Sequence, residues 1–285
     1  MKYWFLKIIA KIILSRLPLS HAVWTKIGVF KNGKMNERQY SKKIFELHFR
    51  NFSQLSSAKE FHVLELGPGD GILTGILAYL YGAKKTYLVD VSQFAIQDVD
   101  YYKKIYLELA GEIQSDRSSP NFDNFEKMLA SMNVSYLTNG LESLRTIDSN
   151  SVDFIFSHSV LEHIRYSILS DTFDELFRLS AKNAILSHNI DYQDHLSKAQ
   201  NNLRFSNRIW ESDFMSSSGF YTNRVQAQQM HALATNAGFT IIDEGFGKWL
   251  IPVLPKNSVH SDLRKGYDPE MTVPTSRFTA VKLSS

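Results

Sequence analysis

The sequence of 285 residues predicts an α/β protein, a mostly parallel sheet covered by helices on both faces. Three observations carry this. From residue 61 onward, short strand-like runs alternate with stretches of helical period. The runs are apolar nearly throughout, as in strands buried on both faces. The first run, Phe61–Leu66, passes into a turn with Gly67, Gly69 and Gly71 before the next helical stretch begins.

Taken in order, the chain opens with a basic head. Residues 1–36 hold seven basic residues (Lys2, Lys7, Lys11, Arg16, Lys26, Lys31, Lys34) and no Asp or Glu, so the rest of the chain stands at −4 against +3 overall. Residues 3–17 form an amphipathic helical pattern, with Lys7, Lys11 and Ser15 on one stripe and Ile8, Ile9, Ile12, Ile13 and Leu17 filling much of the remainder, ended by Pro18. Lys7 and Lys11 interrupt the apolar run a signal peptide needs, and a membrane span needs about 20 apolar residues. Two roles suit such a helix: packing over the mouth of a site, or peripheral contact of residues 1–17 with an anionic bilayer at the inner membrane face of a cytoplasmic protein. Residues 36–55 predict a helix with Tyr40, Ile44, Leu47 and Leu55 as its apolar positions.

The body then reads as strand Phe61–Leu66, helix 71–82, strand Thr86–Val89, helix 92–110, a polar loop and short helix within 111–133, strands Val134–Leu137 and Val152–Phe156, helix 168–180 and strand Ala184–Leu186. Residues 190–224 show no clear period, and a structureless stretch of that length inside a domain is usually functional. A helix over 225–237 with Gly238 as its cap, strand Phe239–Glu244, a proline-bearing loop and strand Arg277–Leu283 complete the chain. Residues 1–57 are thus expected to form a helical appendage or lid, and 58–285 the main domain, with 190–224 inserted as a cap. The absence of Cys excludes disulfides, a thiol nucleophile and cysteine-ligated metals. No basic stripe outside the head and no nucleic-acid motif points to a nucleic-acid partner.

The glycine turn is the strongest local signal. Glycine permits positive φ and close approach of a ligand to the backbone, and the helix that follows offers free N–H groups. A dinucleotide fingerprint needs a third glycine or alanine where Ile72 stands, and no phosphate-loop Lys-Ser/Thr follows. Twenty-one residues past Gly69, the second strand ends in Asp90, whose carboxylate is able to accept two ribose hydroxyls.

Glu65-Leu66-Gly67-Pro68-Gly69-Asp70-Gly71 resembles motif I of the class I S-adenosylmethionine-dependent methyltransferases, a Rossmann-like fold with a seven-stranded mostly parallel sheet. Asp90 with Val91, Asn139-Gly140 after the third strand, and Ser151–Ile164, which is similar to that family's Asp-hydrophobic…Ser…Val-Leu-Glu-His-Ile segment, follow in the family's order. The resemblance implies S-adenosylmethionine as cofactor. Glu65 would lie near its amino group, Gly67, Gly69 and Gly71 under its methionine part, Asp90 and Val91 at the ribose, Asn139 and Gly140 at the adenine edge, and Ser157 and His158 on the floor shared with the acceptor.

Ligands of open α/β sheets bind beyond the carboxyl ends of the strands. The exit of the fifth strand carries His188, Asp191, Asp194 and His195. A hydroxyl acceptor needs a base, so His188 or His195 is expected in that role, with Asp191 or Asp194 orienting it. Asp191, Asp194 and His195 could alternatively hold a divalent cation, but no metal is expected. The course Ile190-Asp191-Tyr192-Gln193-Asp194-His195, Leu203–Ser206, Trp210, Tyr221–Arg224, together with Leu14–Pro18 and Phe30–Met35, is similar to methyltransferases of bacterial polysaccharide and glycan biosynthesis loci. It implies a sugar or glycan acceptor, with Tyr192, Phe205, Trp210, Phe220 and Tyr221 able either to stack on sugar faces or to pack an ordinary cap. A small lipid or quinone-like acceptor, a non-catalytic cofactor binder and an NAD-dependent enzyme are the rival readings.

Overall fold

The computed structural model describes residues 34–58, 60–194 and 198–283. The helical pattern at 3–17 and His195 lie outside the described residues.

Seven strands form one sheet in the order β3-β2-β1-β4-β5-β7-β6. They are β1 (His62–Leu66), β2 (Lys85–Val89), β3 (Val134–Leu137), β4 (Val152–His158), β5 (Ser180–Asp191), β6 (Thr240–Phe246) and β7 (Thr275–Val281). The first five run parallel, and β7 lies antiparallel between β5 and β6. β1 sits at the point where the strand order reverses, so its carboxyl end opens a crevice between its two neighbours.

Helices α1 (Arg38–Leu55), α2 (Leu73–Leu80), α3 (Val99–Ile113) and the short α4 (Phe125–Ser131) cover one face; α5 (Leu141–Arg145), α6 (Tyr166–Leu179) and, after the short cap helices α7 (Asn207–Trp210) and α8 (Asp213–Ser216), α9 (Ala227–Asn236) cover the other. A last short helix, α10 (Ser261–Arg264), lies in the loop before β7.

Helix α1 exists where the sequence predicts it, but its buried stripe is Ser41, Ile44, Phe45, His48 and Phe52. Leu47 and Leu55, expected inside, are exposed. The stripe follows the i, i+3, i+4, i+7 rule once a serine and a histidine are admitted to it. Phe45 and Phe52 join Phe154, Phe156, Ile76 and Tyr102 in a single core, so α1 shares its packing with the sheet. Helix α3 begins at Val99, seven residues later than predicted, because Asp98 accepts the Tyr101 N–H as an N-cap at 2.9 Å. The preceding turn is held by Tyr136 Oη, which accepts from the Phe94 and Ala95 N–H groups at 3.0 and 3.2 Å.

Strand β5 runs twelve residues, far beyond the predicted Ala184–Leu186, because its last part pairs with β7 from Ile185↔Val281 to Asp191↔Thr275. Polar residues hide that half from an apolar-run criterion. The cap packs a small core of Trp210, Met215, Phe220 and Tyr221. Among the described residues no helix is long and apolar enough to cross a membrane.

Candidate active site

The glycine turn lies where β1 meets α2. Gly67 and Gly69 have φ of +69° and +68°. A Cβ on Gly67 would stand 2.5 Å from Val160 Cγ2, so the turn passes tightly beneath the β4 exit. Gly71 has a different reason. A Cβ there would stand 2.8 Å from the Met35 carbonyl oxygen, because residues 35–36 cross over the turn. The Asn36 N–H donates to Asp70 Oδ1 at 3.0 Å, and the Tyr101 hydroxyl donates to the Asn36 carbonyl. Gly71 thus makes room for the chain itself.

Glu65 is buried and accepts the Thr74 hydroxyl. Burial pushes its carboxyl up to about 8, with the Asp90 charge adding to the effect and the Thr74 hydrogen bond opposing it. Asp90 ends β2. Its Oδ2 accepts the Gly69 N–H at 3.1 Å and its Oδ1 the Val91 N–H at 2.7 Å, tying the two loops together. Burial raises its pKa and those two N–H groups lower it. A carboxylate has about four acceptor positions, so two remain for the paired hydroxyls of a ribose. Beside it Val91 is 72% exposed, against Gly140 at φ +51°. The Asn139 N–H is held by Ser143 Oγ at 2.9 Å. A strained glycine turn, a carboxylate with acceptor capacity left and an open edge fit the donor set of an S-adenosyl nucleoside.

Strand alternation decides which residues at the end of β5 share a face. In β5, Ser187, Asn189 and Asp191 point to the face covered by α1, while His188 and Ile190 point to the opposite face. His188 is fully buried, its Nδ1 2.7 Å from Ser157 Oγ and its ring 5.2 Å from Phe278. Burial lowers its pKa to about 3. His188 and Asp191 therefore cannot act on one substrate atom, and the expectation of His188 as base is corrected. Ser157 points the same way as His188 and is equally buried, so it lies beneath the site floor. Asp194 is also buried. It accepts the N–H groups of Ala199 and Asn201 and so closes its own loop. Among the described residues no group of three His, Cys, Asp or Glu could hold a metal.

Asp191 does reach a cleft. Its pKa is raised by burial and moderated by the Gln193 N–H at 2.9 Å, with His163 and Lys198 lowering it further. The cleft, ≈ 610 Å³, is lined by His158, Asn189, Asp191, Phe246, Ser276 and Arg277 among others. His158 pairs with Asn189 across β4 and β5, and Asn189 with Arg277 across β5 and β7, so three strands present polar side chains in one row.

The Leu161-Glu162-His163 turn after β4 is structural. The Asn223 N–H donates to the Glu162 carbonyl at 2.7 Å, Asn223 Nδ2 donates to the carbonyls of Leu161 and Ile164 at 2.7 and 3.0 Å, and His163 Nδ1 donates to the Tyr221 carbonyl at 2.8 Å. Arg224 extends to the Phe205 carbonyl, Asn207 and Glu211 over the Trp210 ring. Trp210, Phe220 and Tyr221 are thereby buried in the cap core, so of the two roles open to them they take packing.

Sequence reasoning missed His48 of α1, whose ring reaches Ser187 and His158. It also missed Asn189 and Arg277 as cleft residues. The signal for His48 was a histidine on an amphipathic helix's apolar stripe; the signal for the other two was the period of two along β5 and β7.

Fold and site define a class I methyltransferase. The sequence matches the family described as "Methyltransferase domain" over residues 37–244. The chain belongs to that family and is a methyltransferase. A search of the curated proteins finds no match. Among solved structures the chain is similar to a SAM-dependent methyltransferase from Methanosarcina mazei, with TM-score 0.50 and 13% identity over 82% of this chain and 97% of that one. It is also similar to a candidate sarcosine dimethylglycine methyltransferase from Galdieria sulphuraria, with TM-score 0.50 and 14% identity over 89% and 92%. Both likenesses are of fold.

Proposed function

We propose that the enzyme methylates a hydroxyl of a sugar or glycan precursor, using S-adenosylmethionine. The supporting observation is the polar row of His158, Asn189, Asp191 and Arg277, lining one cleft at the carboxyl ends of β4 and β5, with β1 and its glycine turn on the other side of β4. Such a row suits a ligand rich in hydroxyls, and Arg277, whose Nη1 pairs with Asp243, keeps its other guanidinium N–H groups for one that also carries phosphate. The resemblance to enzymes of polysaccharide loci points the same way.

When bound, S-adenosylmethionine supplies an electrophilic methyl group on a sulfonium. The protein's part is alignment and control of one proton. Gly67 and Gly69 shape the backbone cradle and Asp90 accepts from the ribose. Asp191 is the base. Its carboxylate faces the cleft, and its raised pKa makes it a better proton acceptor than a fully solvated aspartate. It would take the hydroxyl proton as the methyl group passes from the sulfonium sulfur, which leaves as a neutral thioether, to that oxygen. Glu162 accepts the Asp191 N–H at 3.3 Å and so fixes the end of β5.

The test is incubation with labelled S-adenosylmethionine and a panel of nucleotide sugars and lipid-linked glycans, with mass detection of methylated product. Asp191→Asn is expected to lower turnover about a hundredfold or more. Methylation of none of the panel, with cofactor still bound, would refute the sugar reading. One observation favours a lipid-bearing acceptor: Phe246 at the cleft is 44% exposed and Leu250, four residues on, is 99% exposed. Turnover that requires liposomes would identify that class.

A further inference from the structure

Helix α1 completes a buried hydrogen-bonded chain under the ends of β4 and β5. Asn51 Nδ2 donates to Ser187 Oγ at 2.9 Å. Ser187 Oγ lies 2.8 Å from His48 Nδ1, and His48 Nε2 lies 3.3 Å from His158 Nδ1. His48 and Ser187 are buried. His158 is half-buried and lines the cleft, and its Nε2 has no hydrogen-bond partner among the described residues.

Hydrogen counting gives this chain a direction. A serine hydroxyl has one hydrogen, and a neutral imidazole carries one N–H. Since Asn51 donates to Ser187, the serine hydrogen goes to His48 Nδ1. The His48 proton then sits on Nε2 and points at His158 Nδ1, which leaves the His158 proton on Nε2. The opposite direction would strand the buried Ser187 hydrogen without an acceptor. Burial disfavours the charged form of both rings. Burial, then the neighbouring His158 and His188, hold His48 well below its ordinary range, and burial, then Lys43 of α1, lower His158.

We propose that His48 is a positioning residue that fixes His158 as its Nε2–H tautomer, making His158 a hydrogen-bond donor to an oxygen of the acceptor. The proposal rests on the methyltransferase reading for the identity of the cleft's ligand, and it narrows that ligand. The molecule must offer a lone-pair oxygen beside the hydroxyl that is methylated, as a vicinal diol does. The neighbouring oxygen accepts from His158 Nε2–H while the reacting hydroxyl gives its proton to Asp191. A protonated Nε2 cannot itself be the base, so the division of roles between the two side chains follows from the direction of the hydrogen bonds.

The test is a two-bond ¹H–¹⁵N correlation spectrum of the full-length ¹⁵N-labelled protein between pH 6 and 8. The expected result in the wild type is a protonated-type shift for His158 Nε2 and an unprotonated-type shift for Nδ1. His48→Leu removes the donor and is expected to give averaged shifts. His48→Gln retains an amide N–H on that side and is expected to keep them separated, a rescue that a purely structural role would not produce. A wild-type spectrum with the proton on His158 Nδ1 overturns the proposal without reference to any variant, and so does a fixed tautomer that survives in His48→Leu. Calorimetry with S-adenosylhomocysteine on the same sample keeps the two readings apart. Absence of heat would sink the methyltransferase reading and leave the tautomer result standing.

Discussion

Replacing Gly67 by alanine tests the geometry of the cofactor turn. Two penalties add. An L-residue at φ +69° stands in the left-handed region, which costs about 1–2 kcal/mol. The new Cβ would also meet Val160 Cγ2 at 2.5 Å and Cγ1 at 2.9 Å. Forcing a methyl group into filled space costs about 1–3 kcal/mol, and a β-branched valine has little rotamer freedom with which to yield. Gly67→Ala should therefore lose about 2–5 kcal/mol in total, lowering Tm by roughly 5–15 °C for a chain of this size. Val160→Ala removes the clash and leaves the φ penalty. The double variant should consequently recover about 1–3 kcal/mol relative to the sum of the single variants. Thermal unfolding of the four proteins, with and without S-adenosylhomocysteine, measures both terms, and Gly67→Ala should bind that ligand more weakly. Strictly additive losses, with no recovery in the double variant, would refute the packing of the turn against Val160.

Three further outcomes follow from the same structure. His188→Ala should cost about 2–4 kcal/mol, since it opens a cavity against Phe278 and leaves Ser157 without its partner, while S-adenosylhomocysteine affinity stays unchanged; unaltered stability with lost turnover would restore His188 as a catalytic group. Glu65, raised to about 8, is protonated in the folded protein and ionised in the unfolded chain between about pH 4.3 and 8, so unfolding releases a proton there. Stability of the ligand-free protein should fall with rising pH through that window, by up to about 1.4 kcal/mol per pH unit from this group, and Glu65→Gln should remove that part of the slope; identical pH profiles would contradict it. Asn223→Ala should leave the Leu161 and Ile164 carbonyls without their side-chain donor, loosening the cap by about 2–4 kcal/mol and speeding proteolysis within residues 198–222.

The glycine-turn half of the candidate site is more legible in the sequence than the cleft half, for a physical reason. A glycine turn and a carboxylate at a strand end are local devices, fixed by backbone conformation and by spacing along one strand–helix unit. The cleft half is assembled across strands. His188 and Asp191 stand three residues apart, so strand alternation sends them to opposite faces, a parity that becomes visible only once β5 is known to extend to Asp191. Its far half escapes an apolar-run criterion because Ser187, His188, Asn189 and Asp191 are polar, although β7 pairs with all of it. Helix α1 fails in a related way. Leu47 and Leu55 attract attention as apolar residues, but the buried phase includes Ser41 and His48, which are inside because Met35, Ser187 and His158 satisfy them. The aromatic residues of 205–221 were legible as a cluster. Their burial depends on Asn223 and His163 clamping the cap to the β4 exit, a contact between segments some 60 residues apart.

The central claim is that the glycine turn and Asp90 together hold an S-adenosyl nucleoside, and calorimetric titration of S-adenosylhomocysteine into the wild type and Asp90→Ala tests it most directly. The account predicts one-site binding to the wild type, a loss of at least tenfold in Asp90→Ala, since hydrogen bonds to a charged group contribute about 1.5–3 kcal/mol each, and no heat with NAD. No heat with S-adenosylhomocysteine, or equal affinity in the two proteins, would contradict it.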